Sequence, residues 1–241
     1  MDNKVIDRIE KKYLISKKQK RELLKEIKKH MQKDNYFKSE VFNMYLDTDN
    51  YDLITQSIEQ PIFKEKLRAR SYGGYDRVFL EIKTKLRGRD LNPGFKRRVM
   101  ITKSDFKELI DGKTTMEELA KRSIETSDDI QIAKEVDYLI THFNLKPKIL
   151  VVYDRMSYQG KDKLRVTFDE NLKSRECDLD FSTSEHDKIY FEDNKNIILE
   201  IKAHGVLPLW LVKSLSRHKI YPQQFSKVGM IFQKIRKEQN V

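Results

Sequence analysis

Polar and apolar positions alternate with a period of two through residues 62–85, which read IFKEKLRARSYGGYDRVFLEIKTK. Lys64, Lys66, Arg68 and Arg70 take every second position, so on a strand all four cations share one face. Phe63, Glu65, Leu67 and Ala69 take the other face. After Gly73-Gly74 the pattern resumes, with Glu81, Lys83 and Lys85 on one side and Val78, Leu80 and Ile82 on the other. Two neighbouring strands with one apolar and one basic face are predicted. Further strands are expected over residues 5–15, 41–46, 95–101, 148–155, 163–169, 176–181 and 197–203.

Between the strands the period changes. Ser16 followed by Gln19 forms a capping-box pattern, and Leu23, Leu24, Ile27 and Met31 then recur at helical spacing. Tyr51 to Ser57 is long enough for one or two helical turns. Residues 102–148 carry three more helices, beginning near Ser104, after Thr115 with its Glu118 partner, and at Asp128. Pro208 to His218 reads as a helix, residues 224–227 as a turn, and the charged tail KIRKEQNV as a fraying end. The expected architecture is α+β, a single domain over residues 1–241, with the 102–148 helical insertion packed outside an antiparallel sheet.

Basic residues on one face of an antiparallel sheet are ordinarily its solvated side. Repetition of the spacing argues for more here. Arg8-Glu10-Lys12, Lys96-Arg98, Arg155, Arg165 and Glu200-Lys202 extend it to other strands, while Arg97 points the other way. If the sheet closes on itself, these cations converge on an interior suited to a polyanion. The net charge of +11, with 36% charged residues, favours anionic partners.

The single cysteine, Cys177, excludes an intrachain disulfide framework and fits a reducing compartment. The five histidines show no zinc-ligand spacing. The start lacks an apolar signal core, and the longest apolar run, Val206 to Val212, is interrupted by Pro208 and cannot span a bilayer. A soluble, cytoplasmic protein is expected.

Nine short segments in order resemble the VTC-type polyphosphate polymerase domain, within the CYTH or triphosphate tunnel metalloenzyme superfamily. They are RIEKKYLI (8–15), YLDT (45–48), EKLRARSYG (65–73), FLEIKTK (79–85), FKRR (95–98), VVYDR (151–155), LRVTFDENL (164–172), ILEIK (198–202) and FSK (225–227). The resemblance implies an antiparallel β-barrel, the triphosphate tunnel fold, with helices outside. The broader superfamily opens with ExExK, whereas this chain has Arg8-x-Glu10-x-Lys12. That departure resembles the polymerase branch and argues against a thiamine triphosphatase or class IV adenylyl cyclase.

By the same resemblance, Arg68 and Arg70 contact nucleotide phosphates, with Lys66, Lys83, Lys96 and Arg98 extending the cationic path. Lys12 holds phosphate near the transfer point, and Arg155, Arg165 and Lys202 grip other phosphate oxygens. Ser226 and Lys227 bind near one tunnel mouth. Glu200 holds Mn2+ or Mg2+; Glu10 and Glu81 either assist it or orient neighbouring cations. The implied reaction transfers the ATP γ-phosphate to a growing inorganic polyphosphate chain and releases ADP. Arginine supplies paired hydrogen bonds to phosphate and lysine a mobile charge, while one or two carboxylates suffice for a hard metal.

Two alternatives use the same residues. A metal-dependent tripolyphosphatase or nucleoside triphosphatase would admit water, with Glu10 or Glu81 accepting its proton. A non-catalytic polyphosphate- or nucleotide-binding module would need no metal carboxylate. Nucleic acid is not expected as a partner, because it favours an exposed basic patch or an aromatic platform. A membrane protein partner is compatible with the resemblance, since membrane-associated members carry additional domains.

Overall fold

Ser16 ends one element and starts the next. β1 (Arg8–Ser16) stops there, and the Ser16 hydroxyl accepts from the Gln19 amide at 3.2 Å while the Gln19 side chain accepts from the Ser16 amide at 2.9 Å. This capping box opens α1 (Lys17–His30), which buries Leu23 and Ile27. The structure is a computed structural model and describes residues 8–59, 62–86, 94–123, 127–191, 196–224 and 226–239. Residues 5–7 of the expected first strand, the expected loop residues 88–93, Phe225 of the FSK segment and the last two tail residues lie outside the described residues.

After α1 come β2 (Gln32–Asp47), α2 (Asp52–Ile58), β3 (Phe63–Tyr72), β4 (Val78–Leu86) and β5 (Gly94–Ile101). The helical insertion follows as α3 (Lys103–Ile110), α4 (Met116–Ser123) and α5 (Ser127–His142). β6 (Lys146–Gln159), β7 (Arg165–Arg175), β8 (Lys188–Ile189), β9 (Asn196–His204), α6 (Leu209–Arg217) and α7 (Lys227–Gln239) complete the chain. Capping boxes open α3, through Thr102 and Asp105, and α4, through Thr115 and Glu118.

The chain divides into two compact units. The first comprises Met1–Glu40, Tyr153–Leu172 and Ile189–Phe225; the second comprises Val41–Val152, Lys173–Lys188 and Ser226–Val241. In the first, strands are hydrogen-bonded in the order β1-β9-β7-β6. β9 is antiparallel to both of its neighbours. Tyr13, Ile15, Val166, Phe168, Leu199 and Ile201 form its core against Leu23 and Ile27 of α1 and Leu211 and Leu215 of α6. In the second, the order is β2-β3-β4-β5, antiparallel throughout. Its core joins Met44, Leu67, Leu80, Ile82 and Val99 to Phe106, Leu119 and Val136 of the inserted helices.

Among the described strands the pairing ends at β1, which pairs with β9, and at β5, which pairs with β4. Both edges carry consecutive charges, Glu10-Lys11-Lys12 and Lys96-Arg97-Arg98, a composition that discourages further strand pairing.

Three elements differ from expectation. β2 extends well upstream of residue 41 through QKDNYFKSE, a polar stretch in which no residue is buried, so no apolar alternation announced it. Residues 176–181 are a loop instead of a strand: Arg175 donates to the carbonyls of Asp178, Asp180 and Ser182, and these backbone acceptors serve its guanidinium instead of a ladder. The tail is helical through Gln239, because Val228, Ile231 and Phe232 form a buried stripe that anchors α7 despite its charged end.

The YLDT segment is structural. Tyr51, the N-cap of α2, supplies no side-chain cap. Asp47 takes over: its carboxylate accepts from the amides of Thr48 at 2.8 Å, Leu53 at 2.9 Å and Ile54 at 2.8 Å. Burial nevertheless raises its pKa, a cost that these three donors only partly offset.

Candidate functional site

Strand register decides which side chains share a face, because directly opposed residues project to the same side. In the second unit Lys66 stands opposite Lys83, and Lys83 opposite Lys96, giving three ammonium-bearing positions in one row across β3, β4 and β5. The next row is Tyr45, Arg68, Glu81 and Arg98, and the one beyond it is Asn43, Arg70, Phe79 and Met100. The opposite face is the apolar one, where Leu67, Ile82 and Val99 meet the core. Arg97 lies on that side, paired with Glu135 at 2.6 Å.

Glu81 organises the basic face. It is 1% exposed, accepts from Arg68 Nε at 3.0 Å and from its Nη2, and pairs with Lys96 through its other oxygen. Burial alone would push the Glu81 carboxyl up, but the Arg68 and Arg70 guanidiniums and hydrogen bonds from Lys96 and Arg68 hold it well below the usual carboxylate range. Lys96 is nonetheless lowered, because burial outweighs its bond to a carboxylate already shared with Arg68. Arg70 Nε donates to Asn43 at 2.8 Å, and Arg98 lies 5.1 Å above the Phe79 ring. Lys66 Nζ is 3.5 Å from Ser226 Oγ, at the start of the helix that Lys227 opens.

The first unit carries its own polar face. Lys12, Glu200 and Thr167 are in register across β1, β9 and β7, and Glu10, Lys202 and Arg165 form the adjacent row. Lys202 is 2.6 Å from Glu200 and 3.5 Å from Glu10, while Lys12 is 3.6 Å from Glu10. Arg155 makes two parallel bonds to Asp169, at 2.7 and 2.8 Å. Burial works against the Arg155 cation, but Tyr153 and Asp169 outweigh it and keep the group charged. Arg165 is held by Asp34 at 3.0 Å and Ser157 at 3.1 Å, and Ser157 itself donates to Asp34.

The sequence-derived set therefore falls into two groups. Lys12, Glu10, Arg155, Arg165, Glu200 and Lys202 belong to the first unit. Lys66, Arg68, Arg70, Glu81, Lys83, Lys96, Arg98, Ser226 and Lys227 belong to the second. Sequence reasoning assigned no role to Asn43, Asp34, Ser157 or Thr167. Asn43 lies just before YLDT, and Thr167 and Asp169 sit inside LRVTFDENL, which was the available signal. Asp34 lies in an exposed-looking polar stretch and had none.

The first unit carries oxygen donors of the kind that hold a hard divalent cation, with Lys202 beside them. Glu200 is buried, and beside it the Thr167 hydroxyl is buried with no hydrogen-bond partner. With Glu10 in the next row, the donors are all oxygens, the set preferred by Mg2+ and Mn2+.

The VTC domain family matches residues 7–233. Vacuolar transporter chaperone complex subunit 4 of Schizosaccharomyces pombe is 26% identical over 144 residues, 55% of this chain and 20% of that protein. Subunit 2 of the same complex and organism is 26% identical over 143 residues, 57% of this chain and again 20% of the relative. The chain thus spans about a fifth of the length of the curated relatives it matches. Among solved structures it is similar to HpAC1 from Hippeastrum, a putative adenylyl cyclase described as having a dominant triphosphatase activity. That likeness has a TM-score of 0.54 at 15% identity and covers 95% of this chain and 96% of the other, so the two share a fold. Because one family spans both units and nearly every strand on which the cations stand, the chain is a member of the VTC domain family.

Proposed function

We propose that this chain is a polyphosphate polymerase that transfers the ATP γ-phosphate to inorganic polyphosphate. The row Lys66-Lys83-Lys96 carries the reading. Three ammonium groups in one row, beside the guanidiniums of Arg68 and Arg98 in the next, concentrate positive charge on one face in the way that a chain of phosphates would engage.

Arg68 and Arg70 then hold the nucleotide phosphates in orientations set by Glu81 and Asn43, and Lys66, Lys83, Lys96 and Arg98 extend the contact. Glu81 serves to orient cations, since both its oxygens are engaged. In the first unit Lys12, Arg155, Arg165 and Lys202 bind further phosphate oxygens, and Ser226 and Lys227 of the second bind along the polymer. Glu200, with Glu10 and Thr167, would hold Mn2+ or Mg2+, which supplies charge neutralisation on the phosphoryl oxygens. A terminal phosphate oxygen of the chain attacks the γ-phosphorus, the bond to the β–γ bridging oxygen breaks, and ADP leaves with those electrons. The nucleophile is already ionised, so positioning and cations suffice without a strong base.

The related vacuolar proteins are named as subunits of a complex, which supports partner chains for this one as well. Among the described residues no helix is long and apolar enough to cross a membrane.

Purified protein incubated with ATP and Mn2+, with ADP, free phosphate and chains resolved on one gel, tests the proposal. Long chains with stoichiometric ADP are expected. Free phosphate without chains would reassign the chain as a triphosphatase, and tight tripolyphosphate binding without turnover would leave a binding module.

A further inference from the structure

We propose that Cys177, Asp178 and His186 form a second, chemically distinct metal site, selective for a borderline divalent cation of the Zn2+ type. One ligand atom from each of the three lies within 4.8 Å of the other two. Zn–N bonds of about 2.0–2.1 Å and Zn–S bonds of about 2.3 Å place tetrahedral ligand atoms about 3.3–3.8 Å apart. Small side-chain rotations therefore close the set, and water completes the fourth position.

The loop that carries them is already held in shape. Arg175, whose side chain is 1% exposed, donates to Asp187 at 2.6 Å and to Asp180 at 2.7 Å, besides the three backbone carbonyls it binds. Glu176 accepts from Tyr51 at 2.7 Å. Leu179 and Phe181 pack onto the core, with the Phe181 ring 5.2 Å from Phe106 of α3. Five anchors around a twelve-residue turn remove most of the ordering cost that an exposed site otherwise imposes on binding. The anchors leave Cys177, Asp178 and His186 facing solvent, where an ion can reach them.

The donors also differ from those beside Glu200. A thiolate, an imidazole and one carboxylate favour Zn2+ or Co2+ over Mg2+ and Mn2+. The carboxylate already holds the ring, with His186 Nδ1 2.5 Å from Asp178 Oδ2. On binding, the metal takes the place of the proton in that bond, which moves to His186 Nε2, and the Cys177 thiol gives up its own proton to solvent as the metal–sulfur bond forms. Leu179 and Phe181 tie the loop to the helix-covered side of the second unit's sheet, whereas the cations occupy the other side.

The test uses the untagged full chain titrated with Co2+ in excess Mg2+. One equivalent is expected to bind with a thiolate-to-cobalt charge-transfer band, which Zn2+ abolishes by displacement. Cys177→Ser is expected to lose the band and at least tenfold in Zn2+ affinity, and His186→Gln at least tenfold in affinity. Both variants are expected to melt like the parent without metal and to retain its activity with Mn2+. Absence of the band in the parent, or a Cys177→Ser affinity within tenfold of it, overturns the proposal.

Discussion

Arg68 and Glu81 stand directly opposite each other on β3 and β4, and the Glu81 carboxylate is shared with Lys96 from β5. A buried carboxylate thus sets the direction of two cations on the polar face. Glu81→Gln is expected to cost about 3–5 kcal/mol, the usual effect of leaving one side of a buried ion pair uncompensated. Urea denaturation of parent and variant measures it. The pH response follows from the sign of the shift. The folded pKa lies below the ordinary value of 4.5, so the contribution is complete above that value and is lost as the pH falls toward the folded one. The parent should therefore lose stability below pH 4.5 more steeply than Glu81→Gln.

Glu200→Gln should behave differently. Its carboxylate is the donor around which the hard-metal site is assigned, so the variant should keep its fold and part of its tripolyphosphate affinity while losing at least a hundredfold in Mn2+-dependent turnover. Parallel binding and turnover assays separate the two effects. Unchanged turnover would remove Glu200 from the site.

Thr167 gives a test with opposite signs. Its hydroxyl is buried without a hydrogen-bond partner, an arrangement that costs about 1–3 kcal/mol. Thr167→Val should therefore be neutral or stabilising in a thermal melt without metal, yet should raise the Mn2+ concentration needed for half-maximal activity several-fold.

Asp34 holds the Arg165 guanidinium at 3.0 Å, so it bears on the proposed phosphate contact through that pair. Asp34→Asn should weaken tripolyphosphate binding several-fold by freeing the guanidinium, whereas Asp34→Glu should restore part of it. Equal affinity in all three proteins, measured by calorimetry, would show that Arg165 needs no such support.

Asp47→Ala removes three backbone caps at once. A lost N-cap costs about 0.5–2 kcal/mol, and the buried amides left behind add to it. A lowered melting temperature, with ATP affinity changed less than twofold, is expected from a residue whose carboxylate caps α2.

The cations were legible in the sequence because strand alternation is strict: once Lys66, Arg68 and Arg70 share a parity, their face follows. The capping boxes at Ser16 and Thr115 were legible for the same local reason. Which carboxylates hold the cations in place was not. Asp34 and Arg165 are far apart in the chain and meet only through tertiary pairing, and no local pattern marks Asp34. The 176–181 loop misled because Leu179 and Phe181 alternate like strand residues, while Arg175 bonds the carbonyls a strand would use. The α7 stripe was hidden beneath a high density of charge. Which strands become neighbours depends on long-range pairing, and alternation within a strand carries no information about that.

The pairing of β1 with β9 sets a condition on synthesis. β1 leaves the ribosome well before its strand partner, which runs from Ile197 opposite Ile15 to His204 opposite Arg8. Until then Tyr13 and Ile15, which are buried in the finished protein, have no β9 side chains to cover them. Such long-range closure is slow, and exposed apolar edges in the interval invite aggregation. Until β9 is made, the β1 segment is thus the part of this fold most exposed to wrong pairing.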